Sequence, residues 1–369
     1  MSRAGGDGAR VAIVFQGLKP AEKAFSGIPW GLGRGLRELG HEPVFVRAAS
    51  PRPVERGQRA LEERFTPARL LEPGHARLRS AFASRRLQRA GRIDAVVQCA
   101  TGFLLPPHPR LATYEDMTVK QATAEDVAYG GMPRHVYEAW IARQQEAYAR
   151  ARACLTLSPW TSESIIRSYG VGPEKVHAIG AGRNIETSPV EREWWPPRYL
   201  FVGYDWGRKN GDGLLAAFRR LRDELPEAQL DLVGGHPPIS EPGVTGHGLL
   251  STDDPDQLRR LRGLFETATC FVMPSFIEPL GMVYQEAGAA GIPSIGTTVG
   301  GAPYAVGEGG VCVDPSDQAA LLAAMRTYSD PESARQTGAL AAAASEQTSW
   351  RAVAARACVA LGIEPEAGA

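Results

Sequence analysis

The sequence is poor in cysteine and has no net charge. Its five cysteines, spread over 369 residues, never form a C-x-x-C pair, so a disulfide framework or a structural zinc site is not expected. Reduced thiols of a cytoplasmic protein fit this pattern better. Lysine plus arginine and aspartate plus glutamate both total 41, whereas a protein that binds a nucleic-acid backbone needs a basic excess. We therefore expect no nucleic-acid partner.

Long hydrophobic segments are also missing. The first apolar run, residues 11–15, is too short for the core of a signal peptide. Residues 287–307 are as long as a membrane span, but Gly-Ile-Pro and Gly-Gly-Ala-Pro within them would break a helix. The sequence therefore predicts a soluble protein that stays in the cytoplasm.

Side chains spaced as metal ligands are absent as well. The histidines at 108, 135, 236 and 247 are scattered without helical ligand spacing. The acidic run at 253–256 resembles a metal-binding triplet, yet it precedes a helical pattern and is better interpreted as an N-cap. We expect no metal site.

Strand-like and helix-like patterns alternate along the chain, whose length allows about two and a half domains. A strand at 11–15, a helix at 28–39 and a strand at 43–46 form a βαβ unit, which calls for a parallel sheet. A proline-rich connector at 191–198 precedes a second series of the same kind. The sequence predicts an α/β protein with two Rossmann-like, doubly wound domains facing a central cleft, at 1–188 and 189–348. The helix in 349–369 could return to the first domain.

Three segments of the second domain could carry chemistry. The first is a glycine-rich loop at 201–213 that holds Arg208 and Lys209, two cations suited to phosphate oxygens. The alternative is a solvated basic pair on the surface.

The second segment contains two glutamates separated by seven residues. Glu278 follows a strand and Glu286 lies in the next helix, so each could accept hydrogen bonds from sugar or ribose hydroxyls. The alternative is a turn carboxylate and an exposed helix charge.

The third segment includes Gly300 and Gly301. The backbone amides of these glycines could bind a diphosphate. The alternative is that the glycines form a simple turn.

Taken in order, the three segments resemble the family 4 type of retaining glycosyltransferases with the GT-B fold. That family has Phe-Val-Gly…Lys-Gly, then Pro-Ser…Glu-x-x-Gly…Glu, then Gly-x-Pro…Gly-Gly. The corresponding stretches here are 201–209, 274–286 and 291–301. The resemblance spans about half the chain, and the first domain matches only loosely.

The resemblance implies a nucleotide-diphosphate sugar donor and a hydroxyl acceptor that is a small molecule, a saccharide or a lipid. Arg208 and Lys209 would hold the diphosphate, Glu286 the ribose and Glu278 a hydroxyl of the donor sugar. A donor phosphate oxygen would act as the base, so the anomeric configuration is retained without a metal or a further cofactor. Other donor-binding residues implied are Gly17, Gly248, Leu249, Ser275, Gly281, Met282, Val283, Gly300 and Gly301.

Two positions depart from the family pattern. Tyr204 stands where members often have arginine, a role that Arg208 could take over. Glu115 stands roughly where many members have a histidine close to the reacting carbon, and we expect Glu115 or Asp116 to face the reaction centre. The alternative is that both residues cap the helix that begins near Thr118.

Two features of the first domain have simple alternative interpretations. The glycines at 31, 33 and 35 fail the dinucleotide fingerprint and are expected to allow close helix packing. The stretch from Arg52 to Arg92 contains 11 arginines and 4 glutamates, which gives it a local charge of +7. This stretch could bind an anionic acceptor or associate weakly with a membrane surface, or it could be a solvated face.

Retaining sugar transfer is therefore the predicted activity. A sugar-nucleotide epimerase of GT-B shape and a sugar-nucleotide-binding protein without turnover remain the alternatives.

Overall fold

The computed structural model describes residues 8–54, 56–57, 72–124 and 133–363. The chain divides between Gly182 and Arg183 into two compact units, and the residues from Ser349 onward belong with the N-terminal part. We call the N-terminal part with this C-terminal segment unit 1, and residues 183–348 unit 2. The sequence pattern predicts the boundary six residues later, at 188.

Each unit contains a six-stranded parallel sheet. Its strands run β2-β1-β3-β4-β5-β6 in unit 1 and β12-β11-β10-β7-β8-β9 in unit 2. The strands are β1 Arg10–Gln16, β2 Glu42–Ala48, β3 Ala95–Cys99, β4 Leu111–Glu115, β5 Ala153–Thr156, β6 Val176–Ala178, β7 Arg198–Gly203, β8 Gln229–Gly234, β9 Val244–Gly248, β10 Cys270–Val272, β11 Ser294–Thr297 and β12 Gly310–Val313.

Helices connect the strands, as parallel pairing requires. They are α1 Ile28–Glu38, α2 Glu72–Arg89, α3 Val119–Ala124, α4 Arg134–Arg150, α5 Pro159–Tyr169, α6 Gly211–Glu224, α7 Pro255–Thr267, α8 Met282–Ala289, α9 Ala302–Val306, α10 Gln318–Ser329, α11 Pro331–Ala344 and α12 Trp350–Leu361. Short 3-10 turns occur at Phe25–Gly27, Pro173–Lys175, Gly307–Gly309 and Ser345–Thr348.

The central strands are buried on both faces, which explains their continuous apolar runs. In unit 1 all five residues of β3 and of β4 are buried. In unit 2 the core packs Phe201 of β7 and Phe271 of β10 against Phe218 of α6 and Phe265 of α7. The prediction of two Rossmann-like α/β halves is confirmed.

The glycines of α1 make room for neighbouring side chains. A Cβ on Gly33 would lie 2.4 Å from the Phe45 ring of β2, and one on Gly31 would lie 2.0 Å from the Trp350 indole. At Gly35 a Cβ would lie 2.0 Å from the Trp350 carbonyl oxygen. Close packing is thus the reason for these glycines, and the C-terminal helix α12 packs directly on α1.

The N-cap interpretation of the acidic run at 253–256 is confirmed. Asp254 caps α7 by accepting hydrogen bonds from the backbone amides of Asp256 and Gln257, as the N-cap interpretation predicts. All five cysteines are free. In the described part of the chain, no helix is long and apolar enough to cross a membrane.

Candidate active site

The first candidate segment forms the turn between β7 and α6. Lys209 and Glu278 form an ion pair there, with only 9% and 6% of each residue exposed. Glu278 follows β10, the strand next to β7 in the sheet, so the topology brings the two motifs together at one sheet edge. A Cβ on Gly203 would lie 3.0 Å from Cγ of Lys209, so a glycine at the end of β7 gives the lysine stem its space.

Arg208 reinforces this pair from the more exposed side. Its Nη1 donates to the carbonyl oxygen of Ile277 at 3.0 Å and lies 3.8 Å from Oε2 of Glu278. Asp205 accepts from the Arg208 backbone amide at 3.1 Å and fixes the turn. Burial lowers the pKa of Lys209, and the negative charge of Glu278 opposes that change. Two cations therefore converge on one carboxylate.

Gly300 and Gly301 hold Glu278 in place through the backbone. The Glu278 amide donates to the carbonyl oxygen of Val299 at 3.2 Å, and the Gly301 amide donates to the carbonyl oxygen of Glu278 at 2.8 Å. Gly300 has φ +94°, and a Cβ on it would lie 2.3 Å from that same Glu278 oxygen. The Gly301 amide, suggested by the sequence for a diphosphate, is thus already bound within the protein.

Glu286 lies in α8 and is 5% exposed, so it is not an exposed helix charge. Its Oε1 accepts hydrogen bonds from the backbone amides of Asn184 and Ile185 at 3.2 and 3.1 Å. The Thr187 hydroxyl donates to the Glu286 carbonyl oxygen at 2.7 Å. Burial raises the pKa of the Glu286 carboxyl to about 7, while the two amide hydrogen bonds act in the opposite direction. Glu286 therefore fixes the segment at 184–187.

The remaining donor-binding candidates between β10 and α8 differ in accessibility. Ser275 is completely buried, whereas Gly281, Met282 and Val283 are partly exposed. Gly281 adopts φ +80° as the N-cap of α8, where a Cβ would lie 2.5 Å from the Tyr284 ring. Three of these four residues thus lie at the positive end of a helix, where an anion is favoured.

Gly248 is the last residue of the edge strand β9, which the sequence did not predict, and Leu249 follows it. The Gly248 amide donates to Nε2 of His236 at 3.0 Å, and Leu249 is 61% exposed. His236 also packs edge-on against Trp206, with 6.3 Å between ring centroids. The histidine thereby links the loops after β7, β8 and β9, a role for which the sequence holds no signal.

Unit 1 contains a pocket of about 430 Å³ at the carboxyl ends of β1, β3 and β4. Gly17, with φ +104°, Glu115 and Asp116 all line it, together with Thr101 and Gln144. Glu115 is 3% exposed, and its Oε1 has no hydrogen-bond partner among the described residues. At the start of α3 the backbone amides of Thr118 and Val119 donate to Oε1 of Gln121 and Oε1 of Gln144, so Glu115 does not cap these two amides.

Burial raises the pKa of the Glu115 carboxyl to about 8, with nearby Asp116 adding to the rise and hydrogen bonds with Thr101 and Gln144 opposing it. Gln144 organises the wall. Its Nε2 donates to the Thr101 hydroxyl at 2.9 Å, and its Oε1 accepts from the Val119 amide at 2.9 Å. Because of its raised pKa, the Glu115 carboxyl is largely protonated at neutral pH. Sequence reasoning missed Thr101 and Gln144, because neither belongs to a motif.

No three histidine, cysteine, aspartate or glutamate side chains of the described ranges come together as metal ligands would.

Family comparisons extend over both units. The family model for glycosyl transferases group 1 matches residues 196–330, and the model for glycosyltransferase family 4 matches residues 30–187. Together they span most of the chain. The chain belongs to the group 1 glycosyltransferases. As a member of this family, it is a transferase enzyme.

Relatives of this glycosyltransferase carry different names. Glycogen synthase of Mycobacterium tuberculosis is 28% identical over 301 residues, which are 74% of this chain and 69% of the relative. The D-inositol 3-phosphate glycosyltransferase of Streptomyces scabiei is 31% identical over 218 residues, which are 50% of this chain and 48% of the relative.

Solved structures of similar fold include sucrose-phosphate synthase of Thermosynechococcus elongatus, with a TM-score of 0.66 and 19% identity over 94% of this chain and 96% of that one. WaaG, a glycosyltransferase involved in lipopolysaccharide biosynthesis, has a TM-score of 0.62 and 15% identity over 97% of this chain and all of that one. The glycosyltransferase thus has the GT-B type of fold.

Proposed function

We propose that this glycosyltransferase moves a sugar from a nucleotide-diphosphate donor to a hydroxyl of an acceptor with retention of anomeric configuration. The observation that carries the proposal is the convergence of Lys209 and Arg208 on Glu278, next to the N-terminus of α8. This cluster combines phosphate-binding cations with a carboxylate that accepts hydrogen bonds from a sugar.

Departure of the nucleotide leaves negative charge on its diphosphate. Two fixed cations and a helix N-terminus placed where that charge develops stabilise the transition state more than the ground state. Lys209 and Arg208 supply this stabilisation in our proposal, and the exchange requires no metal. Arg208 is the more accessible of the two, so it meets the diphosphate first.

Glu278 orients the donor sugar in this scheme. Its backbone is fixed by Val299 and Gly301, and its carboxylate accepts a hydrogen bond from a sugar hydroxyl while it pairs with Lys209. Glu286 holds the ribose, with Oε1 anchored on the amides of Asn184 and Ile185.

The pocket of unit 1 receives the acceptor in this scheme. Glu115 is protonated at neutral pH because it is buried, so it donates a hydrogen bond to a ligand oxygen. Asp116 beside it accepts one. This polar arrangement takes the place of the histidine that the family often has. We place the enzyme in the cytoplasm, where nucleotide sugars are available as donors.

A panel of nucleotide sugars, with and without saccharide, polyol and lipid acceptors, tests the proposal. Release of nucleoside diphosphate with a new glycoside of unchanged anomeric configuration, read by NMR, is the expected result. A glycoside of inverted configuration would overturn the retaining mechanism. Isomerised donor without transfer would favour an epimerase, and binding without any product would favour a protein that has lost turnover.

A further inference from the structure

A second, separate charged site lies at one end of the unit 1 sheet. A groove of about 480 Å³ runs between β2, an edge strand of the sheet, and the C-terminal part of α2. Arg47, Arg52, Arg86 and Arg89 line it, and none of the described residues around it is acidic. Residues 55 and 58–71 of the arginine-rich stretch lie outside the described residues.

Two of the arginines are positioned by backbone carbonyls. Nη1 of Arg86 donates to the carbonyl oxygens of Arg47 and Ala49 at 2.6 Å each. Nη1 of Arg47 donates to the carbonyl oxygen of Leu18 at 3.1 Å. These bonds fix the guanidinium groups on the groove wall and engage one nitrogen of each, so further N–H donors remain for a ligand.

The four side chains also lack carboxylate partners within the described part of the chain, unlike other arginines of unit 1. Arg10 pairs with Glu42, Arg92 pairs with Asp94, and Arg150 pairs with Glu146. Four like charges around one groove repel each other unless an anion compensates them. The charge pattern is therefore that of a site for an anion.

We propose that this groove binds the phosphoryl group of a small phosphorylated molecule. Guanidinium forks match phosphate oxygens in shape and charge, and several forks around one concavity favour a doubly charged group over a single carboxylate. The volume lies within the range of small-molecule sites, roughly 300–1,000 Å³. The groove belongs to unit 1, so it is distinct from the Lys209 cluster and does not depend on the proposed function.

The same geometry disfavours a lipid bilayer as the occupant. On α2, Leu78 and Phe82 share their side with Arg85 and Arg89, so the helix has no apolar face to insert. The arginines surround a concavity and do not form a flat surface. Leu18 lines the groove, and the residue before it, Gly17, lines the Glu115 pocket. The groove and that pocket therefore adjoin the same short stretch of chain.

The test measures binding of inorganic phosphate by ³¹P NMR titration at low ionic strength. The double variant Arg47→Gln/Arg89→Gln should bind phosphate about tenfold more weakly than the native enzyme, because two charge-assisted contacts are lost. The matched control is Arg85→Gln, an exposed arginine of the same helix outside the groove, which should bind phosphate as the native enzyme does. Circular dichroism verifies that all variants fold, and Arg52→Gln provides an independent single substitution.

Equal phosphate binding by the native enzyme and the double variant would overturn the proposal. A second arm mixes the protein with vesicles of phosphatidylglycerol or of phosphatidylcholine. If phosphatidylglycerol vesicles were bound through these arginines while free phosphate was not, the occupant would be a membrane surface and our assignment would be wrong.

Discussion

Lys209 and Glu278 form a buried ion pair between the loops that follow two neighbouring strands, β7 and β10. They stand 69 positions apart in the sequence, and the parallel sheet brings them to one edge. Burial lowers the pKa of Lys209, and the negative charge of Glu278 opposes the change, so the charge of Lys209 depends on Glu278. The pair therefore affects both stability and the proposed chemistry, and the two effects can be separated.

Replacing one member of the pair should impair folding as well as transfer. Lys209→Ala leaves the Glu278 carboxylate buried without its partner, which costs about 3–5 kcal/mol of unfolding free energy. The loss of a fixed cation at the leaving diphosphate should lower kcat about 10²–10³-fold. Chemical denaturation and donor-dependent turnover measure the two effects.

The double variant Lys209→Met/Glu278→Met serves as the control for stability. Apolar side chains of similar size fill the same space without a buried charge, so stability should return to within about 1 kcal/mol of the native value. Turnover should remain low. A stable double variant with native turnover would show that the pair has no part in transfer.

Gly300→Ala should displace Glu278. The new Cβ would lie 2.3 Å from the Glu278 carbonyl oxygen, at a φ of +94° that side chains disfavour, so we expect a loss of about 1–3 kcal/mol and weaker donor binding. Gly207→Ala is the matched control. A Cβ on Gly207 would find only a side-chain oxygen of Asp205 at 3.9 Å. Thermal unfolding and nucleotide titration of the two variants should differ, and equal behaviour would contradict the proposed constraint.

Much of this architecture follows from local sequence patterns. The strand predicted at 11–15 and the helix predicted at 28–39 are observed at Arg10–Gln16 and Ile28–Glu38, because a short apolar run defines the strand and helical spacing defines the helix. The spacing of Glu278 and Glu286 likewise identifies two carboxylates that the fold buries.

Other features depend on tertiary contacts that no local pattern encodes. Strand β9 is Val-Thr-Gly-His-Gly, whose two glycines disfavour a strand until β8 pairs with it. Gln144 lies on a helix with a weak apolar face, and only folding brings it to Thr101 and Glu115. Helix α11 is a different case, because it was not predicted although the sequence contains a signal for it. Asp330 caps the helix and Pro331 is its first residue.

The buried Glu115 carboxyl should make stability fall as pH rises. Its pKa is about 8 in the folded protein and 4.5 in the reference state, so between these values the folded state holds the extra proton. Stability therefore declines across that window and levels off above it. Glu115→Gln cannot ionise, so its advantage in Tm over the native enzyme should grow between pH 5 and pH 8.5.

Glu163→Gln, an exposed carboxylate of α5 that pairs with Arg167, is the control for this measurement. Its difference from the native enzyme should stay nearly constant over the same pH range. A Glu115→Gln difference that is equally constant would show that the carboxyl does not carry a raised pKa.

The protonated form of Glu115 should also matter for turnover. Glu115→Gln keeps a hydrogen-bond donor in the pocket and should retain most of the activity, whereas Glu115→Ala should lose about 10-fold or more. Native activity should decline above pH 8 as the carboxyl ionises, and Glu115→Gln should lack that decline. Initial rates of the native enzyme and both variants, measured from pH 6 to pH 9.5, test these expectations. If Glu115→Ala matched the native enzyme, the pocket would not serve the reaction.

Trp350 should anchor the C-terminal helix on unit 1. Its indole fills the space left by Gly31, and its carbonyl approaches Gly35, so Trp350→Ala opens a cavity that costs about 3–5 kcal/mol. Hydrogen exchange should accelerate in α1 and α12, because each helix loses its main contact. Val359→Ala changes an α12 side chain that is 78% exposed and should leave exchange unaltered. Unchanged protection of α1 in Trp350→Ala would mean that the two helices are held together by other contacts.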